Sequence, residues 1–126
     1  MKFVALLGRI FYSLIFITSA LQHFTPGTIA YAANAGVPLP ILLVPCAGIM
    51  AFVGGCSILF GYKARWGALL LILFLVPVTL MMHQFWESSD PAMESMQKIM
   101  FFKNLSMLGG ALLISYFGSG PLSMKE

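Results

Sequence analysis

The chain has 126 residues, of which 60% are hydrophobic and 9% charged, and its net charge is +3. A soluble domain of this length needs far more polar surface, so the composition points to one membrane domain covering residues 1–126. The seven basic residues are scattered and form no basic face. That excludes nucleic acid as a partner and leaves the charges to report topology.

The first apolar segment, residues 3–24, is long enough to span a bilayer. Lys2 precedes it, which raises the question of a cleaved leader. The apolar run exceeds the roughly seven to fifteen residues of such a leader and no small-x-small site follows, so a retained helix is expected. Arg9, Ser13, Phe16, Ala20 and His23 repeat at spacings of four and three, which puts them on one stripe. A partly polar stripe on a spanning helix should face other helices rather than lipid. Residues 25–38 form the first loop, with Pro26-Gly27 breaking the helix and a short surface helix expected over Tyr31–Gly36.

The second span is expected over residues 39–61, with Pro40 in its first turn and a kink at Pro45. Gly48, Ala51 and Gly55 line up on one face, where a second backbone can approach closely. Residues 61–65 are a tight turn, so the second and third spans are antiparallel neighbours. The third span, residues 66–86, is bounded by Trp66 and Trp86 and carries no formal charge between them. As a helix it is about 30 Å long, the thickness of the hydrocarbon core, and Trp favours both interfaces. Asp90-Pro91 is an acidic N-cap followed by proline, so the last helix starts there. It runs to Phe117, about 40 Å, with the membrane part over residues 98–117.

With four spans, Lys2, Lys63, Arg65 and Lys125 fall on one side, and Glu87, Asp90, Glu94 and Lys98 on the other. The positive-inside rule then puts both termini in the cytoplasm. The expected fold is an all-α integral membrane bundle of four transmembrane helices.

On this ruler His23, His83 and Trp86 end their spans at the outer side, and Lys103 and Asn104 lie in the outer half of the last helix. These side chains come from different helices at similar depth, which predicts a polar cavity opening outward. The competing reading keeps both histidines hydrated at the interface, lets Lys103 and Arg9 snorkel, and makes Asn104 interhelical glue. Two histidines at one level suit a haem between helices, but no second pair and no CxxCH supports it. Met81, Met82, Met93, Met96 and Met100 with imidazole would suit Cu(I), but the last three follow helical spacing and are expected to pack. No metal site is assigned. Cys46 and Cys56 would lie about 15 Å apart on one helix, too far for a disulfide, and are expected as small core residues.

The chain resembles the DoxX family of small bacterial membrane proteins. The likeness rests on Leu7-Gly8-Arg9-Ile10, Ser19-Ala20-Leu21, Gly36-Val37-Pro38-Leu39-Pro40 and Val53-Gly54-Gly55. It continues through the Gly61 turn with Arg65, His83-Gln84-Phe85-Trp86, and Lys103-Asn104-Leu105 with Gly109-Gly110. The resemblance implies four spans with cytoplasmic termini, a bacterial inner-membrane location and an association with quinone or redox chemistry. A membrane subunit of a quinone-linked oxidoreductase is one form this would take. It also implies Arg9, His83, Trp86 and Asn104 as polar signature positions. Relatives often carry a lysine where His23 stands and a glutamate where Ala51 stands, so Arg9 needs another partner here, such as Tyr12, Tyr62 or an anion.

The function expected is therefore binding of a quinone-like or other small ligand by His23, His83, Trp86, Lys103, Asn104 and Arg9, with a redox partner protein or a second copy as associates. The alternative is a non-catalytic module that binds lipid or helps partner proteins assemble, offering the Gly48, Ala51 and Gly55 face to another chain.

Overall fold

The computed structural model describes residues 2–82 and 90–121. Five helices follow in order: α1 Lys2–Gln22, α2 Pro26–Asn34, α3 Pro40–Phe60, α4 Ala64–Met82 and α5 Pro91–Phe117. Four of them, all except α2, are long and apolar enough to cross a membrane. No strand occurs among the described residues.

The helix ends follow local chemistry. Proline cannot continue α1, but it suits a first turn, so Pro26 opens α2. Thr25 caps that helix, its side chain accepting from the Thr28 N–H. The short surface helix therefore begins at Pro26 rather than Tyr31 and closes at Asn34, with Ala35 as its C-cap. Asp90 caps α5 by accepting from the Ala92 N–H, with Pro91 at the first position, as expected.

At the end of α3, Gly61 takes φ 69, a left-handed conformation that glycine adopts without steric cost. The Tyr62 N–H then donates to Ser57 O at 3.0 Å and the Gly61 N–H to Ile58 O at 3.2 Å, which is a Schellman closure. The Ser57 hydroxyl reaches over the same turn to the Tyr62 carbonyl at 2.6 Å, with the Lys63 carbonyl 3.1 Å away. This three-residue turn, residues 61–63, makes α3 and α4 antiparallel neighbours.

In the bundle α1 packs on α3, α3 on α4 and α4 on α5. Phe16, Ala51, Ile58, Leu71, Leu75 and Ala111 are at the centre of the core. The α1 stripe is buried as expected at Arg9, Ser13, Phe16 and Ala20, and half-buried at His23. It meets the small-residue face of α3. A methyl group at Gly48 would sit 2.6 Å from the His23 Cβ and 3.1 Å from the Ala20 carbonyl oxygen. The expected close approach is thus present, and its partner is α1 of the same chain. That corrects the idea of a face open to another protein: α1 already covers it.

On the next face of α3, a methyl at Gly54 would lie 2.9 Å from the Gly67 carbonyl oxygen of α4. The ring closes between α5 and α1, where the Tyr12 hydroxyl donates to the Met107 carbonyl. Two expectations about sulfur are corrected. Cys46 is exposed and Cys56 half-buried, because the buried face of α3 runs through Val44, Gly48, Ala51, Gly55 and Ile58. Met93 and Met96 are exposed as well.

Candidate functional site

The site is built from the end of α1 outward. His23 is one residue past α1, and its ring packs edge-on against Phe74 of α4 with centroids 5.5 Å apart. Phe74 in turn contacts Phe16 at 6.4 Å, and Phe16 contacts Tyr12 at 5.2 Å. Edge-on and tilted rings in this distance range attract one another and fix each other's rotamers. The His23 Nδ1 lies 2.9 Å from the Ser19 carbonyl oxygen. A carbonyl only accepts, so Nδ1 carries the proton and Nε2 is left for a visiting group.

Beside this ring is a cavity of about 310 Å³. Besides His23 its walls include Thr28 and Ala32 of α2, Val44 and Ala47 of α3, and Phe74 and Pro77 of α4. Among the described lining residues only His23 and Thr28 carry an oxygen or nitrogen in the side chain. A concave, mostly apolar pocket with a few polar groups is the usual form of a small-molecule site. The volume is at the lower end of the range for such sites. Pro77 lies inside α4, where it removes one backbone donor and weakens the local packing of the helix. Tyr31 of α2 accepts a hydrogen bond from Gln97 of α5 at 2.6 Å, which ties the short helix to the far side of the bundle.

The other expected site residues divide by place. Arg9 and His23 are fourteen positions apart along α1, about 21 Å, so they lie at opposite levels. Arg9 is 5% exposed, and its Nη1 donates to the Ser119 carbonyl at 3.3 Å. That carbonyl, just past the end of α5, was missed by sequence reasoning. The Tyr12 hydroxyl donates elsewhere, to the Met107 carbonyl. Asn104 is 4% exposed and buried against the bundle, with no side-chain hydrogen bond among the described residues. Lys103, its neighbour, is exposed. Arg9, Lys103 and Asn104 do not line the cavity beside His23. His83 and Trp86 lie outside the described residues.

Thr28, Ala47, Phe74 and Pro77 were not singled out as site residues. Ala47 and Phe74 have no side-chain chemistry to betray them, and the available signals were proline within the third span and the Thr28 hydroxyl in the first loop.

Fold and site together define a small four-helix membrane bundle with an apolar cavity near the end opposite Arg9. Residues 4–84 match the DoxX family model, and the chain belongs to the DoxX family. It is 31% identical over 123 residues to the inner membrane protein YphA of Escherichia coli (strain K12), which covers 96% of this chain and 87% of that protein. Similarity to the inner membrane protein YqjF of the same organism is 32% over 123 residues, covering 96% of this chain and 88% of that protein. A more partial likeness, 28% over 78 residues, covers 62% of this chain and 25% of the ER-derived vesicles protein ERV29 of Saccharomyces cerevisiae. No solved structure matches the chain.

Proposed function

We propose that the chain resides in a bacterial inner membrane with both termini cytoplasmic, and that its cavity beside His23 binds an apolar small molecule with a quinone-like head group. The location is supported by the names of the two Escherichia coli relatives. The orientation is supported by Lys63 and Arg65 in the α3–α4 turn, set against Asp90 and Glu94 at the start of α5.

The observation that carries the ligand reading is the cavity itself: apolar walls with the His23 imidazole held by Ser19. With Nδ1–H committed to that carbonyl, a neutral His23 accepts at Nε2 from a hydroxyl, as in a reduced quinol. A protonated His23 donates to a carbonyl, as in the oxidised quinone. The same ring thus has a hydrogen bond to offer either form. His83 and Trp86, at the same end by sequence, are assigned to the head group as hydrogen-bonding and stacking partners.

The near absence of polar lining also favours a second reading, a module that holds a lipid chain and performs no chemistry. One experiment separates the two. Protein extracted with its native lipid is purified, and its bound small molecules are identified by mass. An isoprenoid quinone retained by the wild type and lost from Ala47→Phe supports the first reading. Phospholipid alone, displaced by the same substitution, replaces it with the second. A bound set unchanged by Ala47→Phe removes both.

A further inference from the structure

A second concavity lies at the other end of α3. It is a groove of about 570 Å³ between α3 and α4, lined by Phe52, Cys56 and Phe60 from one helix and Trp66 and Leu70 from the other. Lys63 stands at its rim. From residue 52 to residue 60 the groove follows α3 for about 12 Å, close to the roughly 15 Å depth of one leaflet's hydrocarbon. Its walls are apolar, and its open side faces away from the core.

The rim is built with care for where the charge goes. Lys63 has φ 51, a left-handed conformation rare outside glycine and costly for a lysine. The Ser57 hydroxyl, bonded to the Tyr62 carbonyl and close to that of Lys63, holds the chain there. In this geometry the Lys63 Nζ lies 5.7 Å from the centre of the Tyr62 ring. Tyr62 and Trp66 are both well exposed, Trp66 at 70%, and both are side chains that settle at the headgroup level. An ammonium placed at that level above an apolar channel matches a molecule with a phosphate at one end and an alkyl chain below it.

We propose that the α3–α4 turn is a binding site for one anionic phospholipid, with its phosphate on Lys63 and one acyl chain in the groove past Cys56 and Phe60. The proposal does not depend on the cavity beside His23, which is lined by other residues. The charge argues against the other candidate occupant, an apolar helix of a second protein, because such a helix offers nothing for an ammonium to pair with.

The test uses the intense fluorescence of Trp66, isolated by Trp86→Phe because the chain has only two tryptophans. The protein is reconstituted in phosphatidylcholine vesicles. Phosphatidylglycerol or phosphatidylcholine with brominated chains is then titrated in at equal mole fraction. One lysine at the membrane surface is worth about a fivefold preference, so half-quenching by the anionic lipid should need about fivefold less of it. Lys63→Asn keeps a residue that tolerates the left-handed backbone and removes the charge, so it should abolish the preference, while Lys63→Arg should retain it. Cys56→Phe fills the groove and should weaken quenching by both lipids. Equal quenching by the two lipids in the unaltered turn overturns the proposal without any Lys63 variant. A preference that survives Lys63→Asn overturns it too, as does quenching indifferent to Cys56→Phe.

Discussion

The two ends of α3 make opposite contacts from similar material. Near Gly54 the backbones of α3 and α4 come so close that a methyl group would touch the Gly67 carbonyl. Near Ala47 the same two helices diverge around a cavity roofed by α2. Both ends are apolar, so hydrophobicity does not separate them. Residue volume does: glycine faces glycine and serine at one end, while Phe74, Pro77 and His23 meet at the other. In a bilayer, where lipid is as apolar as the helix surface, close packing is what holds spans together. A closely packed seam at one end and a parted one at the other therefore follow from a handful of small residues, and the parted seam is where a cavity lies between the helices.

The contrast can be tested at four points, from the largest effect down. Gly67→Val should be the most damaging. A Cβ there falls 2.5 Å from the Ser57 Oγ and 2.6 Å from its Cβ, so this close contact must part. Overpacking of this kind costs about 3 kcal/mol, readable as a lower midpoint in unfolding by denaturing detergent. A wild-type midpoint would mean that α3 and α4 are not clasped there. Gly48→Ala acts at the other end of α3, where the new methyl displaces His23 and costs about 1–2 kcal/mol. It should also lower retention of the bound molecule, and retention at the wild-type level would detach His23 from binding.

Tyr12→Phe removes the hydroxyl bonded to Met107. Interhelical hydrogen bonds in membranes average about 0.6 kcal/mol, so only a small fall in thermal stability is expected. A loss several times larger would show that α5 depends on this contact far more than an average bond allows. Asn104→Leu should change stability least, by less than about 0.5 kcal/mol, because an apolar side chain of similar size leaves no polar group unserved. A large loss in the same measurement would restore the view of Asn104 as interhelical glue.

Much of the bundle was visible in the sequence. Largely apolar runs of about twenty residues mark the spans, and Asp90-Pro91 marks the start of α5, because those signals depend only on length and local chemistry. The α1 stripe was visible for the same reason, since spacings of three and four need no tertiary information. The surface helix was misplaced because Pro26-Gly27 was taken only as a break, although proline after a threonine cap also begins a helix.

The site was harder to see. Depth along a helix can be counted, but facing direction turns by about 100° per residue. Lys103 and Asn104 share a depth, yet one is exposed and the other buried. Grouping them with His23 by level alone therefore brought together side chains that point apart. The carbonyl that meets Arg9 was invisible for another reason, as a backbone acceptor after α5 leaves no mark in residue type.

The ring closure between α1 and α5 bears on the order in which the protein is put together. The tightest α3–α4 contacts join residues ten to thirteen positions apart, such as Ser57 and Gly54 with Gly67. Tyr12 meets Met107 across 95 positions, and Arg9 meets Ser119 across 110. Local pairings form with the smallest loss of chain entropy, so the α3–α4 hairpin is expected to assemble first and α5 to dock on α1 last. Time-resolved cross-linking between cysteines placed in each pair would reveal any other sequence of events. Until residue 119 emerges from the ribosome, the Arg9 guanidinium has to wait for the carbonyl it will meet.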